Sequence, residues 1–113
     1  MATQSEGFVR VIRYRWLPGH TAEAQRLAQV LVESAQGRPG CRGIRVLTVL
    51  EGGTEGLVVF EWETRAAMEA HASTATIERL APWAMPFLRW RTDQQYALVA
   101  VYPRAPARPE VGG

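Results

Sequence analysis

The segment FEWETRAAMEAHASTATIERL, residues 60–80, changes from strand character to helix character within a few positions. Its first residues are apolar or aromatic, as in a buried strand. Thr64 is a suitable N-cap for a short helix that reaches His71, and Ser73 or Thr74 can cap a second helix that runs toward two prolines. Because proline breaks or bends a helix, the segment predicts a strand followed by a split helical region.

The residues before this segment predict one strand and one longer helix. Residues 7–16, GFVRVIRYRW, are rich in β-branched and aromatic side chains and stop at LPG, which is typical of a strand that ends in a turn. The segment HTAEAQRLAQVLVESAQG places Ala24, Leu27, Ala28, Leu31 and Ala35 on one helical face. We expect this helix to be capped by Thr21 and to end at Gly37.

Three further strands complete the predicted fold. IRVLTVL and LVVFEWE predict two strands joined across EGGTEG, and QYALVAVY, residues 95–102, predicts the last. The resulting order, β-α-β-β-α-β, predicts an α+β fold with a ferredoxin-like antiparallel sheet that helices cover on one face. We expect one domain over residues 1–102 and a mobile Pro- and Gly-rich tail over residues 103–113.

Two of the predicted strands indicate that the sheet is covered on both faces. LVVF and YALVAV are apolar on both sides, whereas a sheet with one face in water alternates apolar and polar residues. The helices can cover only one face. We therefore expect the other face to pack against the same sheet of a second copy, giving a homodimer. The alternative is a monomer whose Pro-rich tail or split helix covers that face.

Composition and motif spacing exclude several functional classes. The net charge of +2 is too small to indicate nucleic-acid binding, and no apolar run approaches the roughly 20 residues that cross a bilayer. The N-terminus lacks the features of a signal peptide, so we expect a cytoplasmic protein. Cys41, the single cysteine, cannot form an internal disulfide. His20 and His71 have no metal-site spacing, so no metal centre is expected.

An apolar pocket for a flat aromatic ligand is the remaining candidate site. The chain has 4 Trp, 3 Tyr and 3 Phe residues, and such rings bind planar ligands by stacking and area burial. Trp62 ends a strand beside the helix turn, where it can face a space between sheet and helices. His71 shares a helical face with Met68 and could accept a proton near neutral pH. Equally, His71 can be a hydrogen-bonded structural histidine, and each ring can belong to the core or the dimer interface.

The motifs PGCRG and FEWETRAAMEAHAST, with the paired strands, resemble the antibiotic biosynthesis monooxygenase family of dimeric α/β barrels. The resemblance covers roughly residues 7–102. It implies a homodimeric enzyme of secondary metabolism that uses O2 without metal or flavin. Such an enzyme holds a small aromatic substrate, a polycyclic phenol, anthrone or quinol, between sheet and helices and oxidises it to a quinone.

The resemblance also implies roles for individual residues. Trp62 matches the tryptophan of the anthrone-oxygenase pocket, which orients the substrate through its indole N–H. The expected role of His71 as the base comes from its own position and chemistry and not from the resemblance. The residues expected to bind substrate are Tyr14, Met68, Arg79, Trp83 and Phe87. Val58 and Met68 occupy positions at which the anthrone oxygenases have Asn and Tyr. Because the chain contains no Asn, the Asn of the haem-degrading members has no counterpart, and we expect no cofactor.

Two alternative functions fit the same barrel. A non-oxidative cyclase or isomerase of polyketide intermediates needs a base and a shaped pocket but no O2. A small-molecule-binding barrel without chemistry is the second alternative, and it is consistent with the missing Asn and Tyr.

Overall fold

The computed structural model describes residues 3–4 and 7–109. Its strands are β1 (Thr3–Gln4), β2 (Phe8–Trp16), β3 (Cys41–Thr48), β4 (Glu55–Trp62), β5 (Leu88–Ala97) and β6 (Ala100–Val101). Its helices are α1 (Thr21–Ala35), α2 (Arg65–Ala72) and α3 (Ala75–Ala84). Parts of two predictions lie outside the described residues: the signal-peptide assessment at residues 1–2 and 5–6, and the end of the tail at residues 110–113.

The predicted fold class is confirmed by a four-stranded antiparallel sheet in the order β3-β4-β2-β5. The first and third main strands, β2 and β4, lie side by side in the centre, as a ferredoxin-like connection requires. A separate two-stranded pair joins β1 to β6. The division into a domain over residues 1–102 and a mobile tail stays a prediction.

The predicted last strand is wrong in its limits. Strand β5 begins at Leu88 and ends at Ala97, and it pairs with β2 along nearly its whole length. The apolar residues that follow leave the sheet, and the Leu98 backbone N–H donates to the Gly7 carbonyl at 2.8 Å. The polar residues of LRWRTDQQ form a strand because β2 offers them a hydrogen-bonding partner, which is a tertiary effect that overrides local composition.

Two of the three predicted helix caps are confirmed. The Thr64 side chain accepts from the Ala67 backbone N–H at 3.1 Å, and the Thr74 side chain accepts from the Ile77 N–H at 3.3 Å. Thr21 is not a cap: it is the first residue of α1, and its hydroxyl accepts from the Trp16 indole N–H at 3.3 Å. Helix α3 passes through Pro82 and ends two residues later, so the predicted break falls at its C-terminus.

The core lies between the sheet and the helices. Alternate residues of β2 face the helices and are buried, and the inward residues of β4 next to them include Phe60 and Trp62. The buried hydrophobic residues are Ile12, Tyr14, Trp16, Ala24, Leu27, Ala28, Leu31, Ala35, Val58, Phe60, Trp62, Met68, Leu80, Ala84 and Phe87. This arrangement fixes which side chains can reach a space beneath the helices.

The opposite face of the sheet carries apolar side chains that are not fully buried. Val11 and Val59 are neighbours across β2 and β4 and are half-buried, while Leu47 and Tyr96 are exposed. Residues 102–109 are all exposed, and α2 and α3 contribute buried residues to the core. These positions do not match the alternative in which the tail or the split helix covers the second face.

Over the part of the chain described, no helix is long and apolar enough to span a membrane.

Candidate small-molecule site

A cavity of about 330 Å³ lies between the sheet and the helices α1 and α3. Small-molecule pockets enclose roughly 300 to 1,000 Å³, so this space is at the small end of the range. Its lining is mainly apolar: Ile12, Tyr14, Leu27, Leu31, Ile77, Leu80, Ala81, Ala84, Met85, Leu88 and the segment Arg89, Trp90 and Arg91. The helical residues of α3 among them follow the spacing of one helix face, so α3 forms a wall of the cavity.

The polar groups of the cavity come from Tyr14 and from the arginines of β5. Tyr14 and Arg91 are directly opposite each other in the β2–β5 pairing, so both occupy the sheet face that the helices cover. Burial raises the pKa of the Tyr14 phenol, which therefore stays protonated at neutral pH. Arg89 and Arg91 are exposed at the rim. The site thus combines an apolar interior with a cationic edge.

A buried polar chain begins at the next inward position of β2, beyond Ile12. The Arg10 guanidinium pairs with the Asp93 carboxylate through two hydrogen bonds, of which Nε to Oδ1 measures 2.9 Å. Arg10 Nη1 lies 3.2 Å from His71 Nδ1, and His71 Nε2 lies 2.8 Å from Ser34 Oγ. The Ser34 hydroxyl also donates to the Leu31 carbonyl at 2.6 Å. Because Ile12 and Leu31 both line the cavity, this chain lies immediately behind its wall.

These contacts determine the tautomer of His71. A guanidinium can only donate, so Nδ1 must accept the hydrogen bond from Arg10, and the ring proton is on Nε2. Burial is the main cause that lowers the pKa of His71 to about 4, and the positive charges of Arg10 and Arg38 lower it further against the opposing effect of Asp93. His71 is therefore neutral at pH 7, with both ring nitrogens occupied.

We expect His71 to make the protein less stable in mild acid. With a pKa of 6.5 unfolded and about 4 folded, the unfolded chain binds more protons between these values. Its contribution to stability is full above pH 6.5 and is lost as the pH falls toward 4. The expected loss between pH 7.5 and pH 5 is about 2 kcal/mol, measured by urea unfolding.

Two variants isolate this contribution. His71→Gln should show a smaller drop in unfolding free energy over the same pH interval, because the group that titrates is gone. His20→Gln, which removes the other histidine, should keep the drop of the unmodified protein. Equal drops in all three proteins would contradict the lowered pKa of His71.

The structure brings the two predicted catalytic residues together but outside the cavity lining. The Trp62 and His71 ring centroids are 5.1 Å apart, and both side chains are fully buried. The Trp62 indole nitrogen is buried and has no hydrogen-bond partner among the described residues. Its predicted role as an orienting donor is untested, and the same holds for His71 as a base. The observed contacts of His71 are those of the structural alternative.

Of the residues predicted to bind substrate, Tyr14 lines the cavity. Met68 and Phe87 are buried core residues, and Trp83 is partly exposed with its ring against Phe87 at 5.1 Å between centroids. Arg79 is exposed on α3. None of these four lines the cavity, so their predicted roles in substrate binding stay predictions.

Sequence reasoning missed the polar residues behind and beside the cavity: Arg10, Ser34, Asp93, Arg89 and Arg91. A signal for Arg10 exists, because it has the same parity in its strand as Ile12, Tyr14 and Trp16 and must face the helices with them. Nothing in the sequence indicated that Arg89 and Arg91 line a cavity, because the last strand was predicted to begin at residue 95, after both of them.

Within the described ranges, no group of three or more His, Cys, Asp or Glu side chains could hold a metal ion.

Comparison with known proteins identifies the family of this chain. The family model of antibiotic biosynthesis monooxygenases matches residues 7–83. No curated protein matches the sequence. The chain belongs to the antibiotic biosynthesis monooxygenase family, as the sequence motifs indicated, because the matched region covers more than half of its length.

Several solved structures share the fold. A protein of Shewanella oneidensis superposes with a TM-score of 0.77 at 16% identity, over 89% of this chain and 100% of the other. A Pseudomonas aeruginosa protein gives 0.73 at 18% identity, over 86% and 98%. A Chloroflexus aurantiacus protein, named as a candidate antibiotic biosynthesis monooxygenase, gives 0.64 at 17% identity, over 86% and 97%. At these identities the likeness establishes the fold alone.

Proposed function

We propose that the protein is a cofactor-independent monooxygenase of secondary metabolism that oxidises a polycyclic phenol, anthrone or quinol to a quinone with O2. The observation that carries this proposal is the apolar cavity under α1 and α3, with Tyr14 in its wall and guanidinium groups at its rim. Family membership supports a monooxygenase, and the cavity supports a small hydrophobic substrate. A cytoplasmic location remains part of the proposal.

The proposed reaction needs little from the protein besides binding and charge stabilisation. With an anthrone, the ring methylene loses a proton, and the resulting anion gives electrons to O2 as a carbon–oxygen bond forms. The peroxide then loses water, so one CH₂ group and one O2 become one C=O group and one H₂O. The cavity excludes bulk water around this anion, and the β5 arginines supply positive charge near it.

Trp62 and His71 keep their predicted roles in this proposal, as orienting donor and base. His71 can take a proton only after its Nδ1 is released by Arg10, because that nitrogen already accepts a hydrogen bond. Substrate would also have to pass Ile12, which separates the cavity from Arg10 along β2. The base assignment therefore requires a rearrangement, which makes His71 the most informative residue to substitute.

O2 consumption should accompany conversion of an anthrone or a phenol from a small panel, and the product mass should show one oxygen gained and two hydrogens lost. A hydroquinone oxidised to its quinone should instead lose two hydrogens with no oxygen gained, while O2 is reduced to H2O2. If His71 is the base, His71→Gln should lower the rate by roughly 10²- to 10⁴-fold, and Trp62→Phe should lower it as well. His20→Gln is the matched control and should keep the full rate. Absence of O2 uptake across the panel would contradict the oxygenase proposal, and turnover without O2 would select the cyclase or isomerase.

The second candidate is a small-molecule-binding barrel without chemistry. It is favoured by the burial of Trp62 and His71 outside the cavity lining and by the occupied nitrogens of His71. Binding of an aromatic guest with neither O2 uptake nor product would select it.

We also propose that the protein is a homodimer in which the outer sheet faces of two copies pack together. Val11, Leu57 and Val59 of the central strands provide apolar contact area on this face, with Leu47 and Tyr96 toward its edges. Covering them would remove apolar surface from water, which favours association.

A further inference from the structure

The rim of the cavity carries two arginines that form no ion pair with an acidic side chain in the described part of the chain. Ion pairs within the described chain join Arg10 to Asp93, Arg13 to Glu55, His20 to Glu23 and Arg65 to Glu69. None involves Arg89 or Arg91, the two arginines that line the cavity.

The acidic groups near this rim are committed elsewhere or lie outside the lining. Asp93, on the same strand, is held by the Arg10 guanidinium from the buried side. Glu78 is exposed on α3 and does not line the cavity, although Ile77 beside it does. An unneutralised guanidinium pair above an apolar space is suited to a guest with an anionic group at one end.

The register of the sheet places one of these charges next to the interior. Arg91 is opposite Tyr14, whose side chain is buried, and therefore lies on the helix-covered face of β5. Leu88 of the same strand forms part of the apolar lining, so strand β5 provides both apolar surface and charge within a few residues. A ring system packed against Leu88 and Ile12 would have its edge near the guanidinium groups.

We propose that the cavity recognises a hydrophobic ring system that carries a carboxylate, which Arg91 and Arg89 bind at the rim. A carboxylate is favoured because it is fully ionised at neutral pH and matches the planar donor pair of a guanidinium. An ordinary phenol, with a pKa near 10, would arrive uncharged. This inference rests on the proposed function for the cavity itself and specifies the class of substrate within it.

The test compares two probes of nearly the same shape, anthracene-2-carboxylate and anthracene-2-carboxamide. Their binding to the full-length protein is measured by equilibrium dialysis at pH 7.5. We expect the carboxylate to bind about tenfold more tightly, and this preference to shrink when salt is raised. Arg91→Gln should remove the preference and leave the affinity for the amide unchanged, whereas Arg91→Lys should keep part of it. Arg26→Gln, an exposed charge on α1 outside the lining, is the control for net charge and should behave like the unmodified protein.

The outcomes separate this inference from the proposed function. Equal affinity for the two probes, or a preference that survives in the Arg89→Gln/Arg91→Gln double variant, would overturn carboxylate recognition while leaving an aromatic-binding cavity. A loss in Arg26→Gln equal to that in Arg91→Gln would also overturn it, because the effect would then be one of net charge. Failure of both probes to bind would overturn the inference and remove the support for an aromatic substrate. If anthracen-2-ol binds more tightly as its phenol ionises, and the carboxylate probe shows no preference over the amide, carboxylate recognition would be overturned. The anionic group bound at the rim would then be a phenolate.

Discussion

Arg10→Met should lower the free energy of unfolding by about 3 kcal/mol. The Asp93 carboxylate would lose the positive charge with which it pairs, and His71 Nδ1 would lose its hydrogen-bond donor. The Arg10 side chain is 3% exposed and its partner Asp93 is 32% exposed, so Asp93 recovers part of its solvation from water. His71 Nδ1, in contrast, is fully enclosed and would lose the hydrogen bond from Arg10. Breaking a fully buried ion pair costs about 3 to 5 kcal/mol, and the exposure of Asp93 places the expected value at the lower end.

Arg65→Met is the control for this prediction. It removes an arginine from an exposed pair with Glu69 on α2, where an ion pair contributes less than about 1 kcal/mol. Urea unfolding of both variants at pH 7.5 provides the measurement. The Arg10 variant should also show a smaller stability loss in acid, because removal of the nearby positive charge raises the pKa of His71. Similar stabilities for the two variants would mean that the buried chain from Ser34 to Asp93 contributes little to folding.

Ala81→Trp should abolish binding of anthracene-2-carboxylate, with an affinity loss of more than about 100-fold, and should leave the fold intact. Ala81 lines the cavity from α3, so an indole at this position would occupy the space that the guest needs. Filling an existing cavity is commonly neutral or stabilising, so the thermal unfolding midpoint should not fall. Equilibrium dialysis and thermal unfolding test the two parts separately.

Ala70→Trp provides the matched control, because Ala70 is exposed on α2 and does not line the cavity. It should bind the probe with the affinity of the unmodified protein. If Ala81→Trp binds normally as well, the cavity under α1 and α3 is not the ligand site, and the region around Trp62 and His71 becomes the alternative.

The elements that local chemistry determines could be predicted from the sequence. Thr64 and Thr74 cap their helices as expected because an N-cap depends only on the next three residues. Strand β5 could not be located, since the polar residues between Leu88 and Gln95 become a strand only through pairing with β2. The prediction that both faces of the sheet are apolar used residues beyond Ala97 that lie outside the main sheet, although β2 and β4 do present apolar residues on the outer face.

The candidate site was predictable only where it depends on residues that are close together in the sequence. The junction between β4 and α2 placed Trp62 and His71 close together, and their rings are in contact range in the structure. The hydrogen bonds of His71 come from Arg10 and Ser34, which are 61 and 37 positions away in the chain. Local sequence patterns do not reveal such distant partners. These partners nevertheless decide whether a histidine nitrogen is free to accept a proton. The cavity depends on the same long-range packing.

Strand β5 lies at the margin of the main sheet and has hydrogen bonds from β2 on one side in the described part of the chain. Its opening residues form the rim beside α3. A guest could therefore enter by transient fraying of this margin, which breaks one ladder of backbone bonds and leaves the central strands paired. Exchange of the bound molecule would then be governed by the edge of the sheet, and amide hydrogen exchange at residues 88–91 would report that motion.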